Sequence, residues 1–405
     1  MARPRRRAAP VTRTTLECID SYNAGVTGGF LDSSGDKHSA PTDSSGSLST
    51  LIRRRMADAG GWLPFDAFMA LALYAPGLGY YAAGDLQFGA LPASGSDFIT
   101  APELSPLFGA ALARQVAQVL DAGVPGLLVE FGAGSGALAE QLLLALGDRV
   151  QRYAIVDVSG ALRARQALRL ARFGARVCWL DTLPDALHGV VLGNEVLDAM
   201  PVQLLHWDGQ HWLERGVALA ADGAAFAWAD RPTLLRPPLQ PLPDMAPGTV
   251  TEVHPQALAF IRTLAERLRH GAAFFIDYGF PEAEYYHPQR TGGTLMCHQA
   301  HRADTDPLAD VGRKDITAHV DFTGIALAAQ DAGMDVLGYT SQARFLVNCG
   351  LAQLLEGADM RTLANAQKLL MEHEMGELFK VIGLARGLPG LRAIGFAAGD
   401  RSHTL

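Results

Sequence analysis

Residues Leu127 to Leu138 read LLVEFGAGSGAL, and the fold turns on them. The apolar run Leu127–Phe131 predicts a buried strand, the three alternating glycines a tight turn, and Ala137 onward a helix. Glycine at 132, 134 and 136 lets the backbone pass close to a ligand at the carboxyl edge of a sheet. The pattern extends outward from there. YAIVDV, ARVCWL, GVVLGNE and AAFFIDYG read as further strands, and ALAEQLLLAL and ALRARQALRLA as helices separating the first three. Buried strands alternating with helices imply right-handed crossovers and a mostly parallel sheet covered on both faces. The expected class is α/β.

The glycine spacing leaves two cofactors open, because Gly132, Gly134 and Ala137 also satisfy the dinucleotide pattern G-x-G-x-x-G/A. Glu130 separates them. Two residues before the first glycine, its carboxylate would repel the pyrophosphate of NAD. The same charge suits the ammonium and sulfonium centres of S-adenosylmethionine. Asp157, at the end of the second strand, is placed for ribose hydroxyls in either cofactor. Asp181 follows the third strand, where a polar residue and a free N–H suit an adenine edge. The expected cofactor set is Glu130, Gly132, Ala133, Gly134, Gly136, Asp157, Val158, Asp181 and Thr182.

The fourth strand ends in GNEVLDAMP, at the edge where doubly wound sheets hold their ligands. Asn194, Glu195 and Asp198 supply an amide and two carboxylates within five residues. Two carboxylates suit the fork of a guanidinium and can aim one nitrogen at a methyl donor. A helix N-cap with dipole-favoured acids explains the same residues without any chemistry. The acceptor also stays open, since a lysine, a glutamine amide or a small amine fits between such groups. His287, His298, His301 and His319 lie near Asp304, Asp306, Asp310, Asp315 and Asp321, but no metal-ligand spacing appears among them. They read as loop caps and solvated turns, and no metal is expected.

The 405 residues carry a net charge of −8 and are 49% hydrophobic, which fits a globular chain and argues against broad nucleic-acid binding. Cys18, Cys178, Cys297 and Cys349 stand far apart, so neither a disulfide framework nor a zinc knuckle is expected. The longest uncharged run, Ala67–Gly84, is broken by Pro76, Gly77 and Gly79, so no membrane span is expected. The arginine-rich start is followed by Glu17, Asp20, Asp32, Asp36 and Asp43, unlike an organellar presequence, and a cytoplasmic setting is expected. Residues 1–47 read as a disordered tail, 48–121 as a helical cover, and 122–405 as the catalytic domain. Insertions are expected near 200–250, 281–325 and 343–388. Near the end, DVLGYTSQ and LRAIGFAAG read as a closing antiparallel strand pair around the last of these.

An ordered set of motifs then carries a resemblance: FMALALYAPGLGYY, DFITAPELSPLFG, VEFGAGSGALA, YAIVDVSGALRARQ, GNEVLDAMPVQ, FFIDYGF, GGTLMCHQAH, DITAHVDFT and MGELFKVI. From about residue 50 onward the chain resembles the MidA-like family of S-adenosylmethionine-dependent methyltransferases. Mitochondrial members of that family act as protein-arginine methyltransferases that help assemble respiratory complex I. The chain departs from it at Ser96, where the family tends to glycine, and at Asp157, where many members carry Glu. The resemblance implies a Rossmann-like class I sheet of seven mostly parallel strands. It also implies a methyltransferase. An arginine acceptor is always protonated and needs neighbouring negative charge to polarise its attacking nitrogen, with Glu195 as first choice for that role, Asp198 as second carboxylate and Asn194 as orienting amide. The Gly79–Tyr81 turn and Glu103 are expected to close over the pocket. The implied substrate is a respiratory-complex or other protein subunit, and the compartment is the matrix if the source is eukaryotic. Two other functions stay in view: a cofactor-binding assembly factor without turnover, and an NAD-dependent dehydrogenase.

Overall fold

The computed structural model describes residues 47–83, 100–239, 241, 243–299 and 302–405. The expected N-terminal tail through residue 46, the DFIT loop with Ser96, and His301 lie outside these residues. Seven strands run along the path of the main sheet: β1 (Leu127–Phe131), β2 (Arg152–Val156), β3 (Val177–Leu180), β4 (Leu187–Asn194), β5 (Leu268–Phe280), β6 (Asp335–Ser341) and β7 (Phe379–Arg386). Their spatial order is β6-β7-β5-β4-β1-β2-β3. The first five are mutually parallel where they pair, and β7 alone runs against its neighbours β5 and β6. An eighth strand, Val320–Asp321, pairs with β5 off this path. Two residues are too few to leave a periodic signal, so it was not among the seven expected.

The closing strand pair is a second correction. DVLGYTSQ supplies β6, but its partner is Phe379–Arg386, and the expected strand LRAIGFAAG holds a short 3-10 turn at Ile394–Phe396. All but the last residue of β7 are buried, including Lys380. A central strand flanked by β5 and β6 shows no alternation, and its lysine and arginine mask the apolar run.

Crossover helices α1 (Ala137–Leu146) and α2 (Gly160–Leu170) follow β1 and β2. The turn before α1 is possible only with glycine, since Gly132, Gly134 and Gly136 have φ of 60°, 52° and 82°. Ser159 caps α2 by accepting from the Leu162 N–H.

The N-terminal residues and the insertions form a shared outer layer. Trp62–Pro64 pairs with Trp212–Leu219 in an antiparallel sheet completed by Gln203–Trp207, Phe226–Pro232 and Val250–Val253. Helices Leu48–Asp58 and Phe65–Tyr74 bury Ile52, Met56, Phe65, Phe68 and Met69 against Leu204, Val217 and Ile316. Helix Pro106–Asp121 packs instead into the main core through Phe108, Leu112 and Val116. Among the described residues, no helix is long and apolar enough to cross a membrane.

Candidate active site

The parallel register of β4 and β5 pairs Asn194 with Ile276, so both strands end side by side. The Glu195 N–H donates to the Ile276 carbonyl at 2.9 Å, and the chain then turns sharply, with Glu195 at φ 55°. A non-glycine residue held there stores about 1–2 kcal/mol of strain, which the surroundings must offset. They do so through Asp277. Its Oδ2 accepts from the N–H groups of Leu197 (2.8 Å), Val196 (3.1 Å) and Asp198 (3.3 Å), and its Oδ1 from that of Tyr278 (3.1 Å). No helix follows Asn194 within residues 195–202, so the N-cap explanation falls away.

The turn gathers acids. Glu195 Oε1 accepts from the Asn194 amide at 2.9 Å, and Oε2 from the Tyr278 hydroxyl at 3.1 Å. The Asp198 carbonyl accepts from Ala318 N–H at 2.9 Å, which fastens the turn to the strand carrying Asp315. Tyr81 donates to Asp315 Oδ1 at 2.8 Å and stacks on Tyr74, whose hydroxyl donates to the Ala199 carbonyl at 2.8 Å. Asp198, Asp277 and Asp315 are all buried. Burial, then the negative charge of Asp277, pushes Glu195 up to about 8. Burial and Asp277 also lift Asp198 well above the carboxylate range, and burial lifts Asp277 itself despite its four N–H donors. Two acceptors, Asn194 Oδ1 and Asp198 Oδ1, are buried without a hydrogen-bond partner. Buried acids with unmet acceptors are costly unless a cation completes them.

The glycine turn forms the other half of the site. A Cβ on Gly134 would meet no atom within 4 Å, so open space lies above it. Gln166, fully buried on α2, donates to the Gly134 carbonyl at 2.9 Å and to Asp157 Oδ2 at 2.8 Å, and accepts from Trp179 Nε1 at 2.8 Å. Asp157 Oδ1 accepts from Ser159 N–H at 2.9 Å, and burial raises its carboxyl above the usual range. Beside it Val158 is 72% exposed, an apolar face left in the open. Ala133 is buried beneath the turn, while Asp181 and Thr182 are exposed at the end of β3. Asp181 pairs with Arg163 at 2.7 Å, and that arginine also donates to the Asp157 carbonyl. Glu130, buried in β1, accepts from Tyr153 Oη at 2.7 Å, and burial raises it to about 7. Glu103 reaches this turn, accepting from the Ser135 hydroxyl and from Arg169 at 3.1 Å.

A family model described as "Putative S-adenosyl-L-methionine-dependent methyltransferase" matches residues 111–340. The chain belongs to that family. A solved structure from Burkholderia thailandensis, bound to S-adenosyl-homocysteine, is 52% identical, with a TM-score of 0.84 over 88% of this chain and 96% of its own. Protein arginine methyltransferase NDUFAF7, mitochondrial, of Xenopus tropicalis is 27% identical over 94% of this chain and 93% of its own length. The Mus musculus counterpart is 30% identical over 78% and 79%. This methyltransferase therefore uses S-adenosylmethionine and has an α/β fold with a mixed, mostly parallel central sheet.

The residues at the glycine turn fit that cofactor: a cradle open above Gly134, a carboxylate at Asp157, an exposed apolar face at Val158 and a buried acid at Glu130. Several members of the site were missed from sequence. Asp277 and Tyr278 lie in FFIDYGF, Gln166 in ALRARQALRLA and Asp315 in DITAH. Asp315, expected on a solvated turn, is buried, and His319 is partly buried with burial lowering it to about 4. A polar pair closing a buried strand was the one signal available for Asp277 and Tyr278. Nothing local singled out the others. Among the described residues, no group of three or more His, Cys, Asp or Glu side chains is arranged to hold a metal.

Proposed function

We propose that this methyltransferase modifies an arginine side chain of a protein substrate at the Glu195–Asp198 turn. The observation that carries the reading is the buried carboxylate cluster, with Asn194 Oδ1 and Asp198 Oδ1 lacking partners. A guanidinium is permanently charged and presents several N–H donors in a plane, so it meets both the charge and the unmet acceptors. The names of the NDUFAF7 relatives agree with this choice.

In the cofactor half, Glu130 faces the methionine ammonium through water, and Gly132, Ala133, Gly134 and Gly136 underlie the adenosyl moiety. Asp157 takes the ribose, with Val158, Asp181 and Thr182 near adenine. The bound cofactor supplies an electrophilic methyl group on a sulfonium. In the other half, Glu195 is the first catalytic group and Asp198 the second, both facing the guanidinium while Asn194 orients it. Glu195 takes the proton that the attacking nitrogen releases as it gains the methyl group, with S-adenosyl-homocysteine left behind. Alignment and charge complementarity supply most of the acceleration, because the displacement needs no covalent help. Tyr278 holds Glu195 in place, and Asp277 holds the turn.

The strand order, with β7 alone reversed, supports placing the sheet in the Rossmann-like class I. The division at residues 47 and 121, a substrate within a respiratory or other complex, and a bacterial cytoplasmic setting complete the reading. Mass spectrometry of methylated proteins in wild-type and deletion strains tests it. Arginine methyl marks absent from the deletion and restored by wild type but not by a Glu195→Gln variant are expected. Full rescue of the strain by that variant would make the protein an assembly factor instead.

A further inference from the structure

The segment Arg290–Thr291–Gly292–Gly293 takes no part in either half of the site. With Glu284, His287 and Gln289 it lines a surface cavity of ≈ 480 Å³. The Arg290 guanidinium carbon sits 4.3 Å from the centroid of the Phe280 ring, and its Nε is buried without a partner. Among the described residues it joins no ion pair. Both ends of the loop are clamped. The Thr291 carbonyl accepts from Val250 N–H at 2.9 Å, and Thr294 N–H donates to Glu252 Oε1 at 2.7 Å. Between the clamps, the N–H groups of Gly292 and Gly293 have no partner among the described residues. A Cβ on Gly293 would lie 2.4 Å from Glu252 Oε1, so only glycine allows this approach. A planar guanidinium, an exposed hydroxyl and two free amides form a donor set for an oxyanion. Glu284 in the same cavity opposes such a ligand, so the donor set must outweigh its charge.

The location gives the loop its meaning. Phe280 stands two residues beyond Tyr278 on β5, on the same face and about 7 Å along the strand. Both rings flank His319, with centroids 5.2 and 5.8 Å away, and Tyr278 donates to Glu195. We infer that the Arg290–Gly293 loop receives an anionic side chain of the protein substrate, a carboxylate or a phosphoester, about two to four residues of extended chain from the acceptor arginine. This inference rests on the arginine reading above.

The test uses the full-length enzyme and peptide pools with one fixed arginine. Each flanking position in turn carries Asp, phosphoserine, Asn or Lys, and label from S-adenosylmethionine gives kcat/KM. Wild type should favour Asp or phosphoserine over Asn by about tenfold at one or two positions, the scale of one charge-assisted hydrogen bond. Whichever of the two anions is better identifies its source. Arg290→Gln should erase the preference and Arg290→Lys should keep part of it, both with unchanged affinity for S-adenosyl-homocysteine. Arg290→Glu should turn the preference toward Lys. Equal rates for Asp, Asn and Lys in wild type, or a preference that survives Arg290→Gln, would overturn this subsite while leaving the arginine reading intact. Labelling of no arginine in any pool would overturn both.

Discussion

The two halves of the proposed active site are built in opposite ways. The cofactor half is local: strand, glycine turn and helix come from twelve consecutive residues, and Asp157 and Gln166 follow within one crossover. The acceptor half is assembled from Tyr81, the Asn194–Asp198 turn, Asp277–Tyr278 and Asp315, with Tyr81 and Asp315 separated by 234 positions. A local site is specified by backbone geometry, so single glycines decide it. An assembled site is specified by which acids the fold forces together, so its properties are electrostatic and shared among residues. Changes in the first half should abolish binding outright, and changes in the second should grade rate, stability and pH dependence while cofactor affinity holds.

The largest effect should come from the local half. Gly134→Val places a branched side chain in the open space above the turn, at a φ of 52° that valine avoids. Calorimetry should detect no binding of S-adenosyl-homocysteine to a variant whose circular dichroism is unchanged. Retained affinity would show that the turn does not underlie the cofactor.

Asp277→Ala should act next most strongly, and on the assembled half alone. It strands the N–H groups of Val196, Leu197 and Asp198 together with that of Tyr278. Urea unfolding should show a loss of about 2–4 kcal/mol, since several stranded donors outweigh the relieved repulsion among the acids. A stability equal to wild type would mean that the turn is held by something other than this carboxylate.

The sequence revealed the two halves unequally for the same physical reason. The glycine turn at Gly132, Gly134 and Gly136 and the first five strands of the sheet were legible, because local spacing encodes turns and buried runs. Asn194, Glu195 and Asp198 were visible as a cluster but equally readable as a helix cap. The absence of a helix after Asn194 removes the cap reading. Asp315 and Gln166 carry no local mark, and their burial depends on partners 234 and 32 positions away. Strand β7 escaped because burial between two neighbours removes alternation, and its lysine conceals the run.

The pH dependence follows from the raised acids. Glu195, held near 8, is largely protonated at neutral pH in the free enzyme, and a guanidinium favours its ionised form. The rate kcat/KM should therefore climb with pH and level off above about 8. A profile flat from pH 6 to 9 would remove Glu195 from the acceptor site.

A smaller effect concerns stability. Folded Glu195 binds its proton more tightly than the unfolded chain does, so its contribution is full below about 4.5 and is lost as pH rises toward about 8. Glu195→Gln should melt about 1–3 °C above wild type at pH 9 and level with it at pH 4. The reverse order would place a cation beside Glu195 already in the free enzyme.

Glu195→Gln, assayed for turnover and cofactor affinity together, tests the acceptor turn most directly. The substitution keeps the shape of the side chain and removes its charge. Methyl transfer to arginine should fall at least ~100-fold, the scale of one lost electrostatic contact, while the Kd for S-adenosyl-homocysteine stays within about twofold of wild type. Transfer at the wild-type rate would contradict the assignment of the acceptor site to this turn.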